Sequence, residues 1–164
     1  MSKNNISFIL HKPQLSENIG ACARAIKNFN FKKLILINPK PIFPNDKILA
    51  TSVGAKDVVK QSKKYDNLEK AISKIDIVIA TSARFRNKNI KHINLDDLKK
   101  INFKKKIGFL FGSEASGPNK KATFLLKSIL FNSFNFICLI FLFLNLEVVE
   151  IKKSIFFIAG SKLS

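Results

Sequence analysis

Short runs of β-branched and aromatic residues alternate along this chain with stretches of helical periodicity, and that alternation restricts the possible folds more than any other feature. Ile6-Ser7-Phe8-Ile9-Leu10, Leu34-Ile35-Leu36-Ile37, Ile77-Val78-Ile79-Ala80 and Ile107-Gly108-Phe109-Leu110-Phe111 are nearly continuous in apolar character. Strands of that kind are buried on both faces, as in a parallel sheet covered by helices. Between the first two, Ile19, Cys22, Ile26 and Phe29 fall on one apolar helix face, with Ser16 as the expected N-cap and Arg24 and Lys27 on the other face. A second helix is marked by Leu68, Ala71, Ile72 and Ile75, with Asp66 or Asn67 able to cap it and only Asp76 before the next strand. The expected fold class is α/β, a mostly parallel sheet flanked by helices.

At 164 residues the chain has the size of one domain, and no repeat or Gly/Ser linker divides it, so residues 1–164 read as a single unit. Composition shifts after Ala122, where half of the 16 Phe residues lie and no Asp occurs. Residues 123–164 therefore read as a divergent closing region, and Leu125 to Leu146 lacks the Gly/Pro punctuation that would divide it into strands. The apolar run Ile129 to Leu146 approaches transmembrane length but is interrupted by Asn132, Ser133 and Asn135 and carries Asn145 near its end. No membrane anchor is expected from it. The apolar stretch Ile6 to Leu10 is too brief for an export signal, which leaves a cytoplasmic reading.

A formal charge of +18, from 29 basic and 11 acidic residues, sets up a positive potential that attracts polyanions and puts nucleic acid first among partners. Drift toward Lys, Asn, Ile and Phe in an AT-rich coding sequence is an equal explanation for much of the excess. Cys22 and Cys138 stand far apart, with no second pair and no His at ligand spacing, so neither a metal site nor a disulfide framework is expected.

Three groups of polar or glycine residues sit where strands end, the edge on which open α/β sheets build their sites. Ser16-Glu17-Asn18-Ile19-Gly20-Ala21-Cys22-Ala23-Arg24 begins a helix, whose free N–H groups let Asn18 and Gly20 approach a phosphate or ribose while Arg24 supplies a permanent cation. Ordinary capping with a surface Arg explains the same residues. Thr81-Ser82-Ala83-Arg84 suits either a pocket for a small polar ligand or a plain turn. Phe111-Gly112-Ser113-Glu114-Ala115-Ser116-Gly117-Pro118 encloses a carboxylate and hydroxyls between two glycines, and matches neither a Walker A loop nor a Rossmann fingerprint. Of the two histidines, His11 ends the first strand beside Lys12-Pro13 and reads as a satisfied loop residue, with contact to RNA as the alternative, and His92 lies in a basic stretch without a partner nearby. Cys22 reads as core. Arg84-Phe85-Arg86-Asn87-Lys88-Asn89 mixes cations with one aromatic and suits an RNA groove or a solvated loop.

Taken in order, Asn18-Ile19-Gly20 with Arg24, Ser52-Val53-Gly54-Ala55-Lys56-Asp57-Val58, Thr81-Ser82-Ala83-Arg84 and Phe111 to Gly117 resemble successive blocks of the SpoU-like RNA 2′-O-methyltransferases of the SPOUT superfamily. The Gly-Ala-x-Asp-Val and Thr-Ser-Ala-Arg blocks are similar above all to the bacterial subgroup acting on tRNA position 32. The resemblance implies a homodimer, an α/β fold closed by a C-terminal knot, S-adenosylmethionine as cofactor and tRNA as substrate. It carries catalysis to Asn18 and Arg24, and cofactor contacts to Thr81, Ser82, Ala83, Gly112, Glu114 and Gly117. RNA contacts would come from Arg24, Arg84, Arg86 and Lys88.

The third block departs from the family pattern. Leu144-Asn145-Leu146 keeps a Leu-Asn-Leu core, which would place Leu144 and Asn145 at the cofactor, but Leu142-Phe143 replaces the paired serines and Glu147 follows. A change of reading frame in the closing region would account for both this loss and the Phe-rich shift. The rival expectation is a catalytically degenerate RNA-binding relative that no longer binds the cofactor. For the enzyme, positioning of the ribose oxygen in line with the transferred methyl carries most of the acceleration. A guanidinium is a poor proton acceptor, so Arg24 is expected to orient RNA and stabilise negative charge, with a phosphate or water taking the proton.

Overall fold

All six residues of Ile6–His11 are buried, as expected of a strand that is apolar on both faces. In the computed structural model, which describes residues 3–82, 92–93, 95–98, 100–112 and 128–131, this strand lies near the middle of the sheet. After a 3₁₀ turn at Lys3–Asn5, the described elements are β1 (Ile6–His11), α1 (Ser16–Asn28), β2 (Lys33–Ile37), α2 (Asp46–Thr51), α3 (Lys56–Gln61), β3 (Lys63–Tyr65), α4 (Leu68–Ile72), β4 (Ile77–Ser82), β5 (His92–Ile93), α5 (Leu95–Leu98), β6 (Ile107–Phe111) and β7 (Ser128–Phe131). All of them fall in one unit that ends at Ser133. The strands form one sheet in the order β3-β2-β1-β6-β4-β7-β5, with every neighbouring pair parallel.

Register fixes what each face carries. Ile9 lies opposite Ile35 and Leu110, and Ala80 is also opposite Leu110. Successive side chains alternate across a strand, so these residues share a face, and there they meet Leu68 and Ala71 of α4, with Ile72, Ile75 and Tyr65 partly buried against them. Gly108 makes this packing possible. A Cβ at that position would lie 2.9 Å from Ile9 Cδ1 and 3.0 Å from Ile75 Cδ1, so a larger residue would push these side-chain ends aside. On the other face Phe8 packs edge-on against Phe31, with ring centroids 5.1 Å apart, and stacks with Phe109 at 5.9 Å.

The first helix has a different start from the one expected. Leu15 takes the N-cap backbone position without any side-chain cap, and Ser16 is the first helical residue. Its hydroxyl accepts a hydrogen bond from Asn45 Nδ2 at 3.0 Å, so it serves a contact between helices and not its own helix end. The buried face is Ile19, Gly20, Ala23 and Ile26, shifted from the predicted stripe because α2 closes onto Gly20. Cys22 is therefore half-buried and outside the core.

At its other end α1 stops in a Schellman arrangement. Asn30 takes a left-handed conformation (φ 58°), its N–H donates to Lys27 O at 2.9 Å, and the Phe31 N–H donates to Ile26 O at 2.9 Å. The buried Phe31 and Ile26 supply the apolar contact that accompanies this motif. Asn67 caps α4 as expected, accepting from the Lys70 N–H at 2.9 Å, although that helix ends at Ile72 and leaves Ile75 in the following turn.

Two short strands had no readable pattern. β3 pairs with β2 at the sheet edge through backbone bonds, and its Lys-Lys-Tyr sequence offers no apolar alternation. β7 takes Ile129, Leu130 and Phe131 from the long apolar run and inserts them between β4 and β5. Among the described residues no helix is long and apolar enough to cross a membrane. The expectations for the rest of 123–164, including the knot and the altered third block, lie outside the described residues.

Candidate functional site

From β1 the chain winds outward to β2 and β3, then crosses to β4 on the far side of β6. Strand order therefore reverses beside β1 and β6, and open parallel sheets bind ligands at the carboxyl ends of the strands at such a point. At this edge Lys12 and Asn38, the residues that follow β1 and β2, both have positive φ (54° and 48°). Thr81 is half-buried near the end of β4, and Gly112 is half-buried just past β6. Ser82 is the last residue of β4. Extending the pairings Leu10↔Phe111 and Ala80↔Leu110 by one and two residues sets His11, Gly112 and Ser82 in one cross-strand row.

His11 was missed as a site residue. It is buried (7 % exposed), and its Nδ1 has no hydrogen-bond partner among the described residues, so it is not a satisfied loop histidine. Burial, with a smaller contribution from the neighbouring Lys12 charge, lowers its pKa below the ordinary imidazole value and favours the neutral ring. A buried polar atom left unpaired costs about 1–3 kcal/mol, and here it sits in the row that faces the crevice. The only signal in the sequence was a histidine at the end of an otherwise apolar strand.

α1 starts at the same edge. Asn18 is half-buried in its first turn, and Arg24 is exposed and makes no ion pair or hydrogen bond with another described residue. The two are six residues apart, about 120° around the helix and about 9 Å along it, so α1 by itself does not bring them to a common face. Gly20 does not approach a ligand. A Cβ there would lie 2.0 Å from Thr51 Oγ1 and 2.9 Å from Ile48 O, so this glycine is required for close contact between α1 and α2.

The block Ser52 to Val58 also has a structural explanation. Gly54 has φ +76° in open space, Ala55 is buried at the N-cap of α3, and Asp57 is ion-paired with Lys27 of α1. Glu17 is likewise paired with Lys47 of α2. Hydrogen bonding to the lysine lowers each carboxylate's pKa. All four side chains are well exposed, so solvent screens both pairs and they add little to stability. These pairs set how the three helices lie together more than how stable they are.

Ala83, Arg84, Arg86, Lys88, Glu114, Gly117, Leu144 and Asn145 lie outside the described residues. Among the described residues no group of His, Cys, Asp or Glu could hold a metal ion.

A parallel α/β sheet whose strand order reverses beside its central strands defines a broad class of ligand-binding and catalytic proteins. Residues 5–130 match the model of the SpoU rRNA Methylase family, and the chain belongs to that family. It is 35% identical over 117 residues to a tRNA (cytidine-2′-O-)-methyltransferase, TrmJ, of Methanocaldococcus jannaschii, covering 68% of this chain and 50% of that protein. It is 34% identical over 115 residues to an uncharacterised tRNA/rRNA methyltransferase of Haemophilus influenzae, covering 69% and 47%. The chain thus spans about half the length of these curated relatives. Among solved structures, TrmJ from Z. mobilis superposes with a TM-score of 0.73 at 27% identity, covering 82% of this chain and 66% of that one. The SpoU methyltransferase AviRb of Streptomyces viridochromogenes, crystallised with AdoMet, shares the fold at a TM-score of 0.64 and 13% identity, covering 83% and 58%.

Proposed function

We propose that this protein transfers a methyl group from S-adenosylmethionine to the 2′-oxygen of a ribose in tRNA, at anticodon-loop position 32, as a cytoplasmic homodimer. The observation that carries this reading is the family match over residues 5–130, which spans the crevice formed by the ends of β1, β4 and β6. The described part of the crevice fits a small polar cofactor. Thr81 and Gly112 border it half-buried, and the unpaired Nδ1 of His11 is a polar atom that a ligand would satisfy.

Thr81, Ser82, Ala83, Gly112, Glu114 and Gly117, with Leu144 and Asn145, would hold S-adenosylmethionine, which supplies an electrophilic methyl. The chain's own task is geometric. Asn18, in the first turn of α1, would orient the ribose. Arg24 would hold an RNA phosphate through its planar guanidinium while stabilising negative charge on the attacking oxygen. The proton would pass to a phosphate or water, because a guanidinium is a poor proton acceptor. Arg84, Arg86 and Lys88 would extend the RNA contact.

Incubation of the purified chain with labelled S-adenosylmethionine and a tRNA transcript tests this reading. Label retained in nuclease-resistant 2′-O-methylated dinucleotides containing position 32 is the expected result. RNA binding with no methyl incorporated would instead favour the catalytically degenerate RNA-binding relative.

A further inference from the structure

The sheet edge opposite the crevice carries a groove of about 640 Å³. Lys32, Lys33, Lys63, Lys70, Lys74 and Lys106 line it, and no Asp or Glu does. Their positions follow from the topology. Lys33 and Lys63 are the first residues of β2 and β3, Lys32 and Lys106 directly precede β2 and β6, and Lys70 and Lys74 flank the end of α4. Parallel strands begin at a common edge, so the lysines at the starts of β2, β3 and β6 gather there.

All six lysines are exposed, and none is paired with a described carboxylate. Lys27–Asp57, Lys47–Glu17 and Lys100–Asp97, ion pairs among the described residues, lie elsewhere. Codon drift alone would scatter lysines without clearing acidic residues from one groove. Six ammonium groups outnumber the neighbouring Asp76 carboxylate, which accepts from the Lys106 N–H at 2.8 Å, and their mutual repulsion favours an anion between them. The groove has no arginine fork and no glycine-rich amide nest for gripping a single phosphate. Lysines on flexible stems spread around an open trough suit a run of phosphates, and the half-buried Tyr65 in the wall offers a ring against which a sugar or base can rest.

We propose that this groove is a second RNA-binding surface that holds the phosphate backbone of the same tRNA whose ribose is presented at the opposite edge. The proposal rests on tRNA being the substrate. The distance is compatible with one RNA. Ser7 in the groove and His11 at the crevice are four strand residues apart, about 13 Å, and a duplex carries about one charge per 1.7 Å of axis, so a single stem reaches both.

The test is the salt dependence of tRNA affinity, measured by fluorescence anisotropy on the full chain. Wild type is compared with Lys63→Gln/Lys74→Gln in the groove and with Lys56→Gln/Lys60→Gln on α3 as a charge-matched control. Loss of two phosphate contacts lowers the slope of log affinity against log salt by about 1.4–1.8, so the fall in affinity between 50 and 200 mM salt shrinks about tenfold. The control pair leaves the slope unchanged. Equal slopes for the groove variant and wild type, or equal changes in both variants, would overturn the proposal. Methyl transfer assayed in parallel separates the two claims. Wild type that methylates tRNA with a groove-independent slope contradicts only the groove, whereas a groove-dependent slope without methyl transfer contradicts only the enzymatic reading.

Discussion

Asn45 joins the starts of two helices. Its Oδ1 accepts from the Ile48 N–H at 2.8 Å and caps α2, while its Nδ2 donates to Ser16 Oγ at the first residue of α1, at 3.0 Å. The helix that carries Asn18 and Arg24 is thus positioned by a residue 29 places along the chain. Asn45→Ala removes a cap worth about 1 kcal/mol and a side-chain hydrogen bond worth about 1 kcal/mol. Urea denaturation of Asn45→Ala, Ser16→Ala and the double variant is expected to give a coupling energy of about 0.5–1 kcal/mol. Additive single effects would mean that the contact does not link the helices.

Gly20 tests whether α1 and α2 must touch closely. Gly20→Ala places a methyl against Thr51 Oγ1 and the Ile48 carbonyl and is expected to cost about 1–3 kcal/mol through overpacking. Thr51→Ala in the same chain restores only part of this, because the Ile48 carbonyl is backbone and remains 2.9 Å away. Thermal melts of the two variants measure the recovery.

The end of α1 makes a backbone prediction. Asn30 holds φ 58°, where a Cβ without a short polar side chain costs about 1–2 kcal/mol. Asn30→Ala is therefore expected to be less stable by about 1 kcal/mol and Asn30→Gly to be close to wild type, as read from denaturation midpoints.

His11 gives the fold a pH dependence whose sign follows from its lowered pKa. The unfolded chain takes up this proton at a higher pH than the folded chain. The stability attached to the neutral ring is complete above the ordinary imidazole value of about 6.5 and is lost as pH falls below it toward the folded value. Asp57 and Glu17, whose pKa values are lowered by their lysine partners, act in a separate, more acidic window: their contributions are present above ordinary carboxylate values and lost as pH falls through the folded ones. Urea midpoints should decline for wild type as pH falls from about 7.5 to about 5 and stay flat for His11→Leu.

Arg24 is exposed and tied to no described neighbour, so Arg24→Lys should alter stability by less than about 0.5 kcal/mol. If the planar guanidinium positions the RNA phosphate and charge at the ribose oxygen, the same change lowers kcat at least about tenfold, about 1.4 kcal/mol of transition-state stabilisation, and leaves S-adenosylmethionine affinity intact. Near-normal turnover by Arg24→Lys would contradict this role.

The sheet was readable because its central strands are buried on both faces. Ile6 to Leu10 and Ile107 to Phe111 could hardly be anything else, and the positions of Thr81 and Gly112 after apolar strands foretold the sheet edge on which they lie. Residues whose role depends on a distant partner were not readable. Ser16 looks like a cap until Asn45 is placed beside it, and Gly20 looks like a ligand contact until Thr51 fills the space. Lys63 to Tyr65 becomes a strand only because β2 supplies a free edge. Asn45-Asp46-Lys47-Ile48 did carry a local cap signature that the sequence reading passed over. The lysine groove had no linear signature, because its residues come from four separate segments that only parallel packing brings together.

Calorimetric titration of the purified chain with S-adenosylmethionine tests the central claim most directly, with Gly112→Val as the control that blocks the crevice beside His11. Saturable binding by wild type that is lost in the folded Gly112→Val variant is the predicted result. A folded wild-type protein that takes up no S-adenosylmethionine, or binding that Gly112→Val leaves unchanged, would contradict the assignment of this crevice as a methyl-donor site.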